Sequence, residues 1–216
     1  MNPAEKIQLI LPELEKRYGY ATTELHYRNP YELTVAVVLS AQCTDVRVNQ
    51  TTPQFFERFP DFSSLAEVDP EEVLPYIASI SYPNSKSQRL VQLARKVMEE
   101  YGGELPKDPE TLQKLPGIGR KSANVISSVL WEAPVIAVDT HVFRVSRRLG
   151  LATGKTPEKV EEELTAVIPA SYLGRAHHWL ILFGRYHCKA RKPACESCPF
   201  TKICDFYQKE SASQTP

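Results

Sequence analysis

No apolar run in the 216-residue sequence is long enough to cross a bilayer. The longest uncharged ones, Leu33 to Leu39 and Val125 to Leu130, are core-sized, and no basic-then-apolar leader opens the chain. Neither a membrane span nor export is expected, so the compartment read from the sequence is the cytoplasm. Cysteine is scarce and uneven, with four of the five in the last thirty residues. An odd, crowded set excludes the distributed disulfide framework of a small secreted domain and points to a metal site. Neither charge sign dominates, because 26 Lys and Arg balance 26 Asp and Glu. Taken as a sum, that argues against a nucleic-acid partner, which usually draws an excess of cations. What is present is 42% hydrophobic residues in a chain long enough for one large core or two modest ones.

The distribution of charge says more than the sum. Acid gathers in residues 57–72 and 158–163, whereas 113–128, 140–155 and 185–192 carry Lys, Arg and His without a carboxylate. Helical periodicity dominates the chain. Ile7, Ile10, Leu11 and Leu14 recur at intervals of three and four, as do Leu33, Val37 and Val38, and Leu90, Leu93, Ala94 and Val97. Cap-then-proline starts at Asp69-Pro70, Asp108-Pro109 and Thr156-Pro157 agree with helices. Gly102-Gly103 closes a helix running from about Ser87, and Gly150 closes one from about His141. The one strand-like run, Val135 to Val138, reads as a buried connector, and the polar tail 210–216 reads as unstructured. The fold class is all-α.

Four cysteines, Cys188, Cys195, Cys198 and Cys204, are separated by six, two and five residues. Thiolates so spaced can point at one centre, and an all-sulfur set suits tetrahedral zinc or an iron–sulfur cluster equally. Cys43 stands apart and reads as a small buried hydrophobe. A second motif runs from Leu112 through Leu115, Pro116, Gly117, Ile118 and Gly119 to Arg120 and Lys121, which is a hairpin of two helices around a glycine turn. Glycines let a backbone approach closely, and a helix start favours phosphate, so this segment suits a DNA backbone without reading sequence. Lys121 opens the second helix beside Lys114 and Arg120; cationic neighbours, desolvation and a helix N-terminus favour the neutral, nucleophilic form of a lysine. Asp139 precedes a helix bearing Arg144, Arg147 and Arg148. It is a good N-cap, and a carboxylate there can also accept a proton or stabilise positive charge on a sugar.

Taken in order, LPGIGRKSAN (115–124), VDTHVFR (138–144) and the four spaced cysteines resemble the endonuclease III family, within the wider helix-hairpin-helix glycosylases, over nearly the whole chain. The resemblance implies a bifunctional DNA N-glycosylase and abasic-site lyase that excises oxidised pyrimidines, carries a [4Fe-4S] cluster and acts as a monomer on double-stranded DNA holding a damaged base or abasic site. Lys121 matches the family's Schiff-base lysine, Asp139 its essential aspartate, and Cys188, Cys195, Cys198 and Cys204 its cluster ligands. Gln42, in SAQCTD (40–45), would fill the gap left by an extruded nucleotide. SYPNSK (81–86) resembles the second intercalation loop and includes Asn84, but the leucine common at its tip is replaced by Tyr82 or Pro83. Further DNA contacts are implied for Leu115, Gly117, Gly119, Arg120 and His141, and for Lys189, Arg191 and Lys192 between the first two cysteines. The implied architecture has a six-helix lobe of residues 23–133 and a second lobe of 1–22 with 134–216, including the cluster loop 188–204, with the duplex lying across the groove between them. A mismatch-specific adenine glycosylase, a non-catalytic iron–sulfur protein and a zinc protein are the alternatives; the first branch lacks the lysine.

Overall fold

Six of the seventeen prolines open helices, where a missing N–H costs nothing and the fixed φ is already helical. Five follow a side chain suited to capping: Asn2, Asn29, Asp69, Asp108 and Thr156. Tyr82, ahead of Pro83, is the exception. In a computed structural model, which describes residues 1–213 and side-chain surroundings through residue 209, the chain folds as α-helices with two short 3-10 turns. The helices are α1 (Pro3–Tyr18), α2 (Pro30–Ser40), α3 (Asp45–Arg58), α4 (Phe62–Ala66), α5 (Pro70–Ile77), α6 (Pro83–Tyr101), α7 (Pro109–Leu112), α8 (Arg120–Trp131), α9 (Thr140–Leu149), α10 (Pro157–Val167), α11 (Leu173–Tyr186) and α12 (Asp205–Ser213). The fold class is all-α as expected, and among the described residues no helix is long and apolar enough to cross a membrane.

Three expectations change at the level of elements. The helix expected from Ser87 begins at Pro83, because the proline itself makes the first turn. Residues 210–213 of the tail complete α12, whose first turn is anchored by Asp205 and Phe206; residues 214–216 lie outside the described residues. Cys43 is half-buried rather than buried, since it sits in the loop after α2. The Val135 to Val138 run pairs with no strand and buries Ile136, Ala137 and Val138 as a connector into α9.

The chain divides into two compact units, Glu24–Trp131 and Met1–Thr23 with Glu132–Pro216. The first holds seven helices where six are expected, because Pro109–Leu112 makes a separate single turn. Its centre is α2, which buries every residue from Tyr31 to Leu39 and so is covered on all sides rather than along one stripe. An edge-on aromatic cluster of Tyr31, Phe55, Phe56, Phe59 and Phe62 packs beside it, and the Tyr31 hydroxyl donates to the Phe59 carbonyl at 2.7 Å.

The second unit closes around Ile10, Leu14, Val145, Trp179 and Phe183, and the Trp179 indole donates to the Gly19 carbonyl at 2.9 Å. Lys6 is buried inside it, donates to the Leu149 carbonyl at 2.8 Å and pairs with Asp205. Gly150 ends α9 at φ 76, and a β-carbon there would overlap the Asp205 carboxylate. Gly150→Ala therefore strains the backbone and displaces a partner of a buried ammonium. We expect a loss of about 3 kcal/mol of stability, read from the midpoint of urea unfolding at constant slope.

Candidate functional site

The helical hairpin is anchored by what it buries. Leu112, Leu115 and Ile118 all point into the core of the Glu24–Trp131 unit. Leu115 is only 2% exposed, its N–H donates to the Leu112 carbonyl and its own carbonyl accepts from Ile118. Its side chain therefore fixes the hairpin from the core side. Gly117 has φ 81, and a β-carbon there would lie 3.3 Å from Arg89 Cβ and 3.4 Å from Val38 Cγ1, so the turn rests directly on α6 and α2. Gly119 differs, because nothing lies within 4 Å of a β-carbon built on it. Arg120 and Lys121 follow, both exposed, on a first turn that contains no acid. The desolvation expected around Lys121 is thus not supplied by this unit and must come from whatever covers it.

The protein itself does not require glycine at 119, so the residue tests external approach. Gly119→Ala should leave stability within about 0.5 kcal/mol, as for other unencumbered surface sites. Binding to duplex DNA should weaken by roughly tenfold, because a methyl group holds the helix start away from phosphate. Parallel melting and fluorescence-anisotropy titrations check both halves.

Among the described residues, four non-glycine residues hold left-handed backbone: Gln42, Tyr82, Glu132 and Lys192. Such a conformation costs on the order of 1 kcal/mol and persists where surroundings impose it, commonly at functional sites. Three of the four fall in segments that the sequence singled out. Gln42 is exposed after the C-terminus of α2. Tyr82, at 65% exposure, has φ 58 and makes no side-chain cap, whereas Pro83 is the first residue of α6, so the tip of that loop is Tyr82. Asn84 is exposed in the next position but one.

In the other unit, Asp139 Oδ1 accepts from the N–H groups of both His141 and Val142 at 2.8 Å, capping α9. The cap uses one carboxylate oxygen and leaves Oδ2 outside it. The connector leading to Asp139 is held by His177, whose Nδ1 lies 2.8 Å from the Ala137 carbonyl. His177 packs edge-on to His178, where burial pushes the pKa down to about 3 and leaves a neutral core residue. His141 is half-buried with Nδ1 3.1 Å from an Arg144 nitrogen; because Arg144 can only donate, the ring's proton sits on Nε2.

All five cysteines are free thiols, and Cys188, Cys195, Cys198 and Cys204 line one cavity with Phe183 and Leu149. Among the described residues no group of three or more His, Cys, Asp or Glu side chains gathers to hold a single ion. Four thiols are nonetheless gathered around the cavity. His187 lines the same cavity, and its Nε2 is buried without a hydrogen-bond partner, an orphan that an occupant of the cavity would satisfy. Burial pushes the Cys198 and Cys204 thiols up, so their ionisation needs the compensating charge that metal brings. These residues fit an iron–sulfur cluster.

Two arginines of α9 hold the loop in shape, a role the sequence reading missed. Arg144 donates to the Gly184 and Cys188 carbonyls at 2.9 and 3.2 Å, and Arg148 to those of Lys189 and Ala190 at 2.7 and 3.1 Å. Arg148 also reaches Cys188 Sγ at 3.5 Å. The basic run of α9 is thus largely turned inward on carbonyls. Lys189, Arg191 and Lys192 remain exposed on the loop that these arginines shape.

Residues 35–170 match the family described as HhH-GPD superfamily base excision DNA repair protein, and residues 188–204 match the iron-sulfur binding domain of endonuclease III. Endonuclease III of Rickettsia conorii is 46% identical over 204 residues, covering 94% of this chain and 97% of that protein. The chain belongs to the endonuclease III family. The Escherichia coli K12 endonuclease III is 44% identical over 97% of this chain and 99% of its own length. A solved endonuclease III, trapped on DNA as a covalent intermediate, superposes with a TM-score of 0.92 at 43% identity and covers 98% of this chain and 100% of that one. The protein is accordingly a DNA-binding glycosylase and abasic-site lyase of base excision repair. Its cofactor is a [4Fe-4S] cluster, and the iron–sulfur match decides iron over zinc, which cysteine spacing alone leaves open.

Proposed function

We propose that this chain excises oxidised pyrimidines from duplex DNA through a covalent intermediate on Lys121, with Asp139 as its charge-stabilising carboxylate. The observation that carries the reading is the state of two groups. Lys121 is an exposed amine on an acid-free helix start, and Asp139 caps its helix with Oδ1 alone, which leaves Oδ2 for chemistry. A relative of 43% identity is trapped on DNA as a covalent intermediate, the kind of species an amine nucleophile forms. Cys188, Cys195, Cys198 and Cys204 hold the [4Fe-4S] cluster, whose contribution is to tie the 188–204 loop into one body. That loop then offers Lys189, Arg191 and Lys192 to phosphates, as the hairpin offers Gly117, Gly119 and Arg120. His141, with its proton on Nε2, is a further donor.

The enzyme kinks the duplex and extrudes the damaged nucleotide, at a cost of a few kcal/mol that weakly paired lesions reduce. Gln42 fills the vacated space, and Tyr82 takes the place of the opposite-strand wedge. The bound nucleotide supplies the desolvation that Lys121 lacks in the free protein. Lys121 Nζ then attacks the deoxyribose C1′, the N-glycosidic bond breaks and the base leaves with its electron pair, while Asp139 stabilises positive charge developing on the sugar. Collapse to the imine opens the sugar ring. The imine acidifies the C2′ proton, whose loss expels the 3′ phosphate by β-elimination. We assign a monomer acting on the cell's own DNA in the cytoplasm.

Borohydride reduction of the imine tests this reading, on one duplex carrying thymine glycol and another carrying an abasic site. An adduct on both supports it. An adduct on the abasic site alone would move the base specificity elsewhere, and none on either would remove the covalent mechanism.

A further inference from the structure

Lys86, the last residue of the SYPNSK segment, is a charged residue left only 4% exposed in the Glu24–Trp131 unit. An ammonium so buried is retained only where acceptors surround it. Its Nζ donates to the carbonyl of Leu39, in the last turn of α2, at 2.7 Å and to that of the C-cap residue Ala41 at 2.6 Å, where a cation also meets the negative end of the helix dipole. The Ala41 carbonyl belongs to the peptide that leads into Gln42, so planarity of that unit carries its position into the Gln42 backbone. On its own helix, the Lys86 N–H donates to the Tyr82 carbonyl at 3.1 Å, closing the first turn of α6. One residue therefore holds, by side chain and by main chain, the peptides next to both exposed tips that carry left-handed backbone, Gln42 at φ 54 and Tyr82 at φ 58.

Tyr82 shows the same constraint from the other side. Every other proline-led helix start here follows Asn, Asp or Thr, whereas this one has an uncapped tyrosine that pays left-handed strain and stays exposed. Local helix chemistry does not explain that choice. An aromatic ring at a tip that meets bases does, because it stacks on whichever base it reaches.

We propose that Lys86 is a positioning residue that couples the Gln42 and Tyr82 tips into one rigid pair, so that the two enter the duplex together when a nucleotide is extruded. The inference rests on the function proposed above and deepens it. Lys86 lies buried with its ammonium on those two carbonyls, and the proposed chemistry gives it no part. Its loss should therefore be felt only where strands must be parted.

The test compares wild type with Lys86→Met on two DNAs in parallel: a duplex with paired thymine glycol, which requires extrusion, and a single-stranded abasic oligonucleotide, which does not. The readout is the ratio of the two single-turnover rates, which cancels any fraction of misfolded protein. We expect the ratio to fall by roughly tenfold to a hundredfold, the loss that a misplaced group brings. An unchanged ratio overturns the proposal. If Lys86→Met does not fold, the coupling is read in the wild-type background from Gln42→Ala, Tyr82→Ala and the double variant on the thymine glycol duplex. Tips acting as one unit give a double variant no slower than about threefold below the worse single variant, whereas losses that multiply overturn the proposal. Absence of any wild-type adduct on either DNA overturns the functional reading itself, an outcome separate from a ratio that does not move.

Discussion

Lys121→Gln should abolish the borohydride-trapped adduct and lower turnover on a thymine glycol duplex by about ten-thousandfold or more, as removal of a nucleophile does elsewhere. The size of the effect follows from chemistry that no neighbour replaces. Arg120 is too basic to lose its proton, and Lys114 lies on the other arm of the hairpin. Stability should stay within about 0.5 kcal/mol, because Lys121 is exposed and its stem buries little. Binding to the lesion duplex should persist within a few fold, since loss of one cation among several weakens phosphate contact only modestly. Trapping yield, single-turnover rate and anisotropy separate the three quantities. An adduct formed at wild-type yield by the variant would take Lys121 out of the mechanism.

Asp139→Asn should give the second large effect, and it isolates chemistry from folding. Asn caps a helix as well as Asp, so the two bonds from His141 and Val142 to the side-chain oxygen survive and the melting temperature holds. What disappears is the negative charge. Base excision should slow by about a hundredfold to ten-thousandfold, the range for a positioned acid–base group. Asp139→Ala serves as the contrast, losing the cap as well and with it about 1 kcal/mol of stability. Equal activity of the Asn variant and wild type would reduce Asp139 to a cap.

Much of this site was legible in the sequence because its signals are local. The cysteine spacing, the glycine turn and the aspartate before a basic helix each lie within one short segment. Within the same segments the sequence left burial open. Leu115 sits in the hairpin motif like its neighbours, yet its side chain faces the core. Arg144 and Arg148 stand out in the sequence only as part of a basic helix, and their guanidinium groups lie on carbonyls of residues 184 to 190. Lys86 ends the SYPNSK segment, but its burial carried no signal, since its acceptors are 45 and 47 residues away.

By itself, the sequence determined an all-α chain, the starts of its capped helices, a four-thiol loop and a lysine and an aspartate in recognisable settings. Caps, prolines and periodicity act over a few residues, so the pattern alone carries them. Only the tertiary structure decided which oxygen of Asp139 the cap uses, that the 81–86 tip is Tyr82, which arginines shape the cluster loop, and that a buried ammonium stands next to both strained tips. Those outcomes depend on which distant carbonyl a side chain meets once the core has closed.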